Sequence, residues 1–233
     1  MNDVIIAFKK LLLSTMFLVA CSTNSYSADE IKSEGASKED WSGFYLGGVL
    51  GYGFGEADHC DTTLGVFPCP SPGFPVVDLN GINGGATVGL NKQHGKIVLG
   101  IESDFSFADM GETVPSTGAF GCGAGCAVEI DWFATIRGRL GIANDNGGLL
   151  YVTGGIAFTD VTSILSPDSG SDTLDSAVVG GGYEMMLNDG WSAKLEGIHV
   201  FDGGKVFNGS CPDCFSDNHD FSVVRIGINK KLN

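Results

Sequence analysis

Residues 96–107 read Lys-Ile-Val-Leu-Gly-Ile-Glu-Ser-Asp-Phe-Ser-Phe, and apolar and polar side chains alternate along this stretch with a period of two. An alternation of this kind predicts a β-strand whose two faces meet different environments. One face carries the large apolar side chains Ile97, Leu99, Ile101, Phe105 and Phe107. The other face carries Lys96, Gly100, Glu102, Asp104 and Ser106. The charges therefore all lie on one side of the predicted strand.

The same period recurs before and after this stretch. Residues 43–54, 81–91 and 128–142 alternate clearly, and four further segments alternate less regularly, at 148–160, 175–188, 191–203 and 219–232. Together with residues 96–107 these segments predict eight strands. Their connections differ in length. Asn91–Lys96, Ala143–Gly148 and Asn188–Gly190 are short turns, whereas long loops are predicted at 55–79, 108–127, 161–175 and 204–219. Short turns at one end and long loops at the other are typical of outer-membrane barrels, with both chain ends on the periplasmic side.

The distribution of charge distinguishes a membrane barrel from a soluble one, because a soluble barrel places its apolar side chains inside. Here the apolar face is nearly free of charge over about ten residues per strand, which is enough to cross a bilayer when the strand is tilted. From residue 30 onward the chain has no apolar run that approaches the roughly 18–20 residues of a membrane helix. We therefore predict an all-β fold, an eight-stranded antiparallel up-and-down transmembrane β-barrel. Its interior is predicted to hold Glu102, Asp104, Glu129, Asp131, Arg137, Arg139, Glu184, Lys194, Glu196 and Arg225.

The first twenty residues have the form of a secretory signal peptide. Lys9 and Lys10 precede the short apolar run 11–20, which predicts export. Leu18–Cys21 resembles a lipoprotein box with Cys21 as the acylated residue, and ordinary cleavage near Ser25–Ala28 is the alternative. The predicted organisation is a signal peptide at 1–20, a polar tether at 22–40 and a barrel domain at 41–233.

Net charge and cysteine usage limit the chemistry. The formal net charge of −15 argues against nucleic acid as a partner, because polyphosphate binding requires a basic face. The chain has seven cysteines, and six of them fall into close pairs in the predicted loops: Cys60 with Cys69, Cys122 with Cys126, and Cys211 with Cys214. Disulfides are favoured over zinc ligation in an oxidising compartment. Six cysteines allow 15 pairings, so the connectivity stays open.

Six short motifs resemble, in order, the small porin-like surface-antigen barrels of the outer membrane that are common in alphaproteobacteria and related to OmpA-type barrels. The motifs occupy 41–48, 100–105, 132–141, 150–155, 191–196 and 225–229. This resemblance implies a bacterial outer-membrane location and contact with outer-membrane lipid, lipopolysaccharide and the barrel-assembly machinery. Relatives usually end in an aromatic residue, whereas this chain ends Asn229–Asn233 with Lys230 at an expected lipid-facing position.

The predicted interior charges have two interpretations. An eight-stranded barrel is only wide enough for side chains to fill it, which favours a structural salt-bridge network over a narrow pore. His199 is predicted to be an interfacial residue rather than a catalytic base, and we predict no catalytic, cofactor-binding or metal-binding site. The functional hypothesis is a non-enzymatic surface protein that acts through its four loops, with host surface factors as further partners. The alternative is a narrow porin-like channel, and the oligomeric state stays open.

Overall fold

The computed structural model describes residues 40–61, 76–115, 125–165, 168–209 and 214–232. These residues form eleven strands and one short 3-10 helix, Asn188–Gly190. The strands are β1 Gly43–Asp61, β2 Val76–Asp78, β3 Gly81–His94, β4 Ile97–Val114, β5 Cys126–Ala143, β6 Gly148–Leu165, β7 Asp168–Met186, β8 Trp191–Val200, β9 Val206–Phe207, β10 Cys214–Asp217 and β11 Phe221–Leu232.

Eight of these strands close into a ring in which all neighbours are antiparallel. The order is β1, β3, β4, β5, β6, β7, β8, β11, and β11 pairs again with β1. This closing pair runs from Phe44 opposite Leu232 to Gly55 opposite Phe221. The predicted fold class, an eight-stranded antiparallel up-and-down barrel, is confirmed. Among the described residues, no helix is long and apolar enough to cross a membrane.

The three predicted short turns lie together at one end of the ring, with both ends of the barrel domain. Gly95 adopts φ +60° between β3 and β4, and Asp189 and Gly190 adopt φ 58° and 72° between β7 and β8. Between β5 and β6, Asn144 Oδ1 accepts the backbone N–H groups of Asn146 and Gly148 at 3.0 and 2.8 Å. Turn residues that tolerate a left-handed backbone therefore connect the strands at this short-turn end.

The outer wall of the ring is apolar. Leu50, Ile82, Leu99 and Leu150 are each about 60% exposed, and large apolar side chains from every ring strand share this face. We call the end of the barrel opposite the short turns its upper end. At the upper edge of the wall, the Phe105 ring lies edge-on to Phe107 at 5.1 Å and stacks on Trp132 at 5.6 Å. An exposed apolar band bordered by aromatic side chains is the surface that a transmembrane barrel presents to lipid.

A β-bulge corrects the prediction for Glu129 and Asp131. The β4–β5 register jumps between Phe107/Trp132 and Met110/Ile130, so Ala108 and Asp109 lie opposite Asp131 alone. The β5–β6 register shifts at the same residue, Asp131. One extra residue reverses the faces of a strand beyond it. Val128 and Ile130 therefore point inward, whereas Glu129 is half-buried and Asp131 is exposed. Neither carboxylate lies in the barrel interior.

Beyond the bulge the strands continue as a second region, the head, in which the polarity of the two faces is reversed. We define the head as Glu56–Asp61, β2, Asp109–Val114, 126–131, 160–165, 168–175, 202–209 and 214–220. Its interior belongs to a buried apolar cluster: Ala57, Val77, Leu79, Met110, Val128, Ile130, Phe133, Ala157, Val161, Leu174, Val178, Ile198, Val200, Val206, Phe221 and Val223. Its outer surface is mostly polar, as in a soluble barrel, with Val76 and Phe207 as exposed apolar exceptions.

The head also corrects the predicted long loops. The prediction of a loop at 161–175 is wrong, because β6 and β7 stay paired out to Leu165 opposite Asp168. β1 likewise extends to Asp61, pairing with β2 over Glu56–Asp58 and with β10 over Asp58–Asp61. The Ser-, Thr- and Asp-rich composition of these segments reflects strand faces in water.

The wall and the head should respond differently to a positive charge. In Ile136→Arg the cation enters the lipid-facing wall near its middle, where it should cost about 2–4 kcal/mol. In Ser171→Arg the cation enters the water-exposed face of the head, where the change should stay within about 0.5 kcal/mol. Urea unfolding of both variants in phospholipid vesicles measures the difference. Equal costs would contradict the assignment of the two surfaces.

Candidate functional site

The middle of the barrel holds a neutral set of buried charges. Each member is at most 4% exposed. The four cations are Arg137, Arg139, Lys194 and Arg225, and the four carboxylates are Glu102, Asp104, Glu184 and Glu196. An isolated buried charge would be very costly, so a balanced and fully paired set is the arrangement that a closed interior can tolerate.

Arg137, on β5, is the centre of this network. Its Nη2 donates to Glu102 at 2.6 Å and to Asp104 at 2.9 Å, and its Nη1 donates to Glu196 at 3.1 Å. Its Nε donates to Thr135 Oγ1 at 2.9 Å. One guanidinium thus links β4, β5 and β8 through the barrel interior, which its planar fork of donors suits.

Arg225 and Lys194 complete the upper part of the network. Arg225 places Nη1 and Nη2 at 3.0 Å from the two oxygens of Asp104, in a bidentate pair. Its Nε donates to Glu196 at 2.7 Å. Lys194 Nζ lies 2.9 and 3.0 Å from the two oxygens of Glu102. Through these contacts β11 and β8 are tied to β4, on the far side of the ring.

Arg139 and Glu184 form the lower part, nearer the short-turn end. Arg139 Nη2 donates to Glu184, and its guanidinium lies 3.7 Å from the centre of the Tyr151 ring. Glu184 also accepts from Ser192 and, at 2.8 Å, from Asn229 Nδ2. The hydroxyl of Tyr45 donates to Glu102 at 2.7 Å, and the hydroxyl of Tyr151 donates to Glu196 at 2.9 Å.

Inward-facing glycines make room for these long side chains. A Cβ atom on Gly89 would lie 2.3 Å from the Tyr45 ring, and one on Gly182 would lie 2.7 Å from the Tyr151 hydroxyl. A Cβ on Gly227 would lie 2.9 Å from the aliphatic stem of Lys194. The glycine-rich alternation therefore has a steric role, because one face of each strand must leave volume for charged side chains from other strands.

Apolar layers seal the network above and below. The floor at the short-turn end is a buried cluster of Trp41, Val98, Ala143, Leu149 and Tyr151. Trp41 is held there by its backbone N–H, which donates to Gln93 Oε1 at 2.8 Å. The apolar core of the head, which includes Phe133 packed against Phe221 at 5.6 Å, lies above the network. The described interior is thus filled with an apolar floor, a charged middle and an apolar roof.

The head contains an Asp–His–Ser arrangement that the sequence did not reveal. His219 Nδ1 lies 3.3 Å from Asp202 Oδ1 and 3.1 Å from the Gly204 carbonyl oxygen, and Nε2 lies 2.9 Å from Ser216 Oγ. Such an order of contacts also occurs in hydrolytic triads. Here Ser216 is fully buried and His219 is 2% exposed, so a substrate cannot reach the hydroxyl. The three side chains form a clasp that ties the two ends of the connection between β8 and β11 to each other.

The three cysteines that the structure describes lie at the ends of head strands. Cys60, Cys126 and Cys214 are each disulfide-bonded, whereas Cys21, Cys69, Cys122 and Cys211 lie outside the described residues. Within the described ranges, no group of three or more His, Cys, Asp or Glu side chains is placed to hold a metal ion.

His199 lies on the outer wall, half-buried, near the upper end of β8. Its Nδ1 is 3.0 Å from Ser222 Oγ, and its ring meets Phe201 edge-on at 4.6 Å. This is the position predicted for an interfacial residue. At the other end of the wall, Lys230 donates to the Asp189 carbonyl oxygen and lies 5.2 Å from the centre of the Trp191 ring. Its ammonium group thereby leaves the lipid-facing wall.

Sequence reasoning did not identify the uncharged members of the network. Tyr45, Tyr151, Ser192 and Asn229 all lie on the inward face of their strands and touch its charges. The available signal was their phase in the alternation, which matches that of the inward charges on the same strands. The ten predicted interior charges divide into eight that the structure brings together and two, Glu129 and Asp131, that the bulge turns outward.

A closed eight-stranded ring with an apolar outer wall, a paired charged interior and short turns at one end defines a transmembrane barrel of the outer-membrane class. The chain belongs to the family of outer membrane protein beta-barrel domains, whose sequence profile matches residues 14–223. It is an outer-membrane protein, and barrels of this class turn their short-turn end to the periplasm and the opposite end, here the head, to the outside of the cell.

Two relatives are themselves named as outer-membrane proteins. The 31 kDa outer-membrane immunogenic protein of Brucella melitensis is 28% identical in an alignment of 228 residues, and the alignment covers 90% of this chain and 94% of that protein. The 22 kDa outer membrane protein of Rhizobium leguminosarum bv. viciae is 29% identical over 192 residues, 82% of this chain and 78% of that protein. Among solved structures, Neisserial surface protein A is 10% identical with a TM-score of 0.47, over 82% of this chain and 98% of that one.

Removal of the central cation should destabilise the barrel. Arg137→Met leaves Glu102, Asp104 and Glu196 without their shared partner, and the loss of one member of such a buried network should cost about 3–5 kcal/mol. The matched control is Lys96→Met, which removes the exposed pair with Asp145 and should cost less than about 1 kcal/mol. Urea unfolding in lipid vesicles compares the two. A loss for Arg137→Met as small as that of the control would contradict the role of Arg137.

The clasp should show in the pH dependence of stability. The hydrogen bond from His219 holds the pKa of Asp202 at about 2, below its ordinary value of 3.8. A carboxyl group with a lowered folded-state pKa contributes stability above its ordinary pKa and loses it as the pH falls toward about 2. Asp202→Asn should therefore be less stable than the parent protein at pH 7, and the difference should shrink as the pH approaches 2. A difference in unfolding midpoint that is independent of pH would contradict this.

Proposed function

We propose that this protein acts at the cell surface as a closed, non-enzymatic barrel that presents its extracellular head to molecules outside the cell. The observation that carries the proposal is the filling of the described interior by three layers. Arg137 and its partners occupy the middle of the barrel, and apolar clusters lie on both sides of them. A rigid, sealed barrel leaves the outer surface as the part available for interaction.

The channel hypothesis finds no support in this interior. A solute would have to displace the floor around Trp41, break ion pairs that are almost fully buried, and then pass the packed pair of Phe133 and Phe221. Each of these steps exposes or separates groups whose pairing is needed for stability. Barrels that conduct are wider and have a water-filled lumen.

The enzymatic alternative is also disfavoured, on the geometry of the one arrangement that suggests it. A nucleophile must be reachable by its substrate, and Ser216 is buried between β1 and β9. His199 contacts Ser222 on the outer wall, and within the described residues no carboxylate is hydrogen-bonded to its imidazole. These observations favour structural roles for both histidines.

The head has the features of an interaction surface. Many carboxylates are exposed or half-exposed there: Glu56, Asp58, Asp78, Asp109, Glu129, Asp131, Asp160, Asp175, Asp217 and Asp220. Lys205 is the one Lys or Arg at the described surface of the head. A strongly acidic field attracts basic partners and steers their approach. We propose host surface factors and lipopolysaccharide as candidate partners, the latter through bridging cations.

Two measurements test this proposal. In planar bilayers the purified barrel should give no discrete conductance steps, because its interior is filled. Steps that survive in the presence of intact, heat-modifiable barrel would overturn the closed-barrel proposal in favour of a narrow pore.

The second measurement is adhesion of bacteria that display the protein to cultured host cells. Glu129→Gln with Asp175→Asn removes two charges from the head and should lower adhesion severalfold. Asp145→Asn with Asp189→Asn removes two charges from the periplasmic turns and should leave it unchanged, since Asn also tolerates the left-handed backbone of Asp189. Equal adhesion of all three strains, at equal barrel abundance, would contradict a role for the head.

A further inference from the structure

A hollow of about 510 Å³ lies where the lipid-facing wall meets the head. Its floor is a row of three outward side chains in register, Phe54 on β1, Ser222 on β11 and His199 on β8. The small Ser222 lies between two ring-bearing neighbours, which produces a depression in the wall. Its volume falls within the range of small-molecule sites, about 300–1,000 Å³.

The lower side of the hollow is apolar. Phe54 is 47% exposed, and Phe201 meets the His199 ring beside it. Directly below Ser222 the wall continues through Val224 to Gly197, which has no side chain and open space around its Cα. A shallow strip therefore runs from the hollow into the lipid-facing wall, along which an alkyl chain can lie against Phe54 and Val224.

The upper side of the hollow is acidic. Glu56, Asp78 and Asp220 line it, and Glu56 stands directly opposite Asp78 in the β1–β2 pairing. Like charges at directly opposed positions destabilise a sheet. None of the ion pairs formed among the described residues includes any of these three carboxylates, and Lys205, the nearest head cation in sequence to Asp220, pairs with Asp217 at 3.6 Å.

The carboxylates do not converge as metal ligands do, because no described group of three or more His, Cys, Asp or Glu is placed to hold a metal ion. A larger, organic cation suits them better. Opposed side chains of an antiparallel pair have Cβ atoms about 4.5–5.5 Å apart, so one ammonium group with its three donors can bridge them.

We propose that this hollow binds the ammonium headgroup of an amine-bearing lipid of the outer leaflet, with the headgroup between Glu56 and Asp78 and an alkyl chain on the strip below Ser222. The headgroup relieves the repulsion between the two opposed carboxylates, and the chain covers exposed aromatic surface. The proposal rests on the outer-membrane location and is independent of whether the head binds host factors or the barrel conducts.

The four histidines of the chain provide a direct assay. Protein labelled with ¹³C and ¹⁵N at histidine, folded in dodecyl maltoside micelles, is titrated with dodecylammonium while imidazole resonances are recorded. We expect a saturable shift of His199, which lines the hollow, and no shift of His94, which lies at the periplasmic turn. Dodecyl sulfate, with the same chain and an anionic head, should not reproduce the shift.

Variants then assign the binding to the hollow. Glu56→Gln with Asp78→Asn should weaken binding at least tenfold. Asp131→Asn with Asp175→Asn removes the same charge from the other walls and should leave the affinity within twofold. Heat-modifiable gel mobility establishes whether each variant is folded. If a variant does not fold, the His199 titration of the parent protein still tests the proposal.

Three results would overturn the proposal. The first is the absence of a saturable His199 shift with dodecylammonium in the parent protein. The second is equal weakening by both double variants, which would mean that net charge alone draws the amphiphile to the micelle. The third is equal binding of ethanolamine, which lacks the alkyl chain and would make the hollow a site for soluble cations. Conductance and adhesion measurements are unaffected by any of these outcomes.

Discussion

Closure of the backbone hydrogen-bond ring is the constraint on which the rest of this structure depends. Lipid offers no partner for an unpaired amide or carbonyl group, so the last strand must return to the first. The β11–β1 pairing meets this requirement over twelve residue pairs. Once the ring is closed, each strand must present an apolar face outward, and only the narrow interior remains for polar side chains. The neutral charge network, the inward glycines and the apolar floor and roof are all solutions to filling that interior.

The transmembrane part could be predicted from sequence because two physical requirements coincide there. Lipid selects the outward residues and pairing selects the inward ones, so a strand such as 97–107 shows its phase in most of its residues. The phase identified the eight buried charges of the network and wrongly added Glu129 and Asp131 to them. It could not identify which charges pair, because Arg137 and Glu196 lie on strands that are distant both in sequence and around the ring, and their contact depends on the barrel's dimensions. Nor did phase alone distinguish Tyr45 from an unimportant inward residue.

The head was harder to predict, for reasons that are also physical. One additional residue at Asp131 exchanges the faces of β5, and a local pattern does not show where such a residue stands. Above the bulge the environments of the two strand faces are exchanged, because the outer face meets water and the inner face packs against apolar side chains. Segments such as 161–175 then have the composition of loops while forming regular ladders. The clasp of Asp202, His219 and Ser216 brings together residues from two sides of a short excursion, and no sequence spacing announces it.

The bulge also restricts how the head can diverge during evolution. Along β5 beyond the bulge, the face on which a residue lies follows from whether its distance from Asp131 is odd or even. Insertion of a single residue next to Asp131 in β5 would place Val128 and Ile130 in water and carry Glu129 into the apolar roof. Insertion of two residues would lengthen the strand and leave its sidedness intact. Heads of different heights on this barrel are therefore expected to differ by even numbers of residues per strand, a rule of parity that leaves their surface chemistry free to vary.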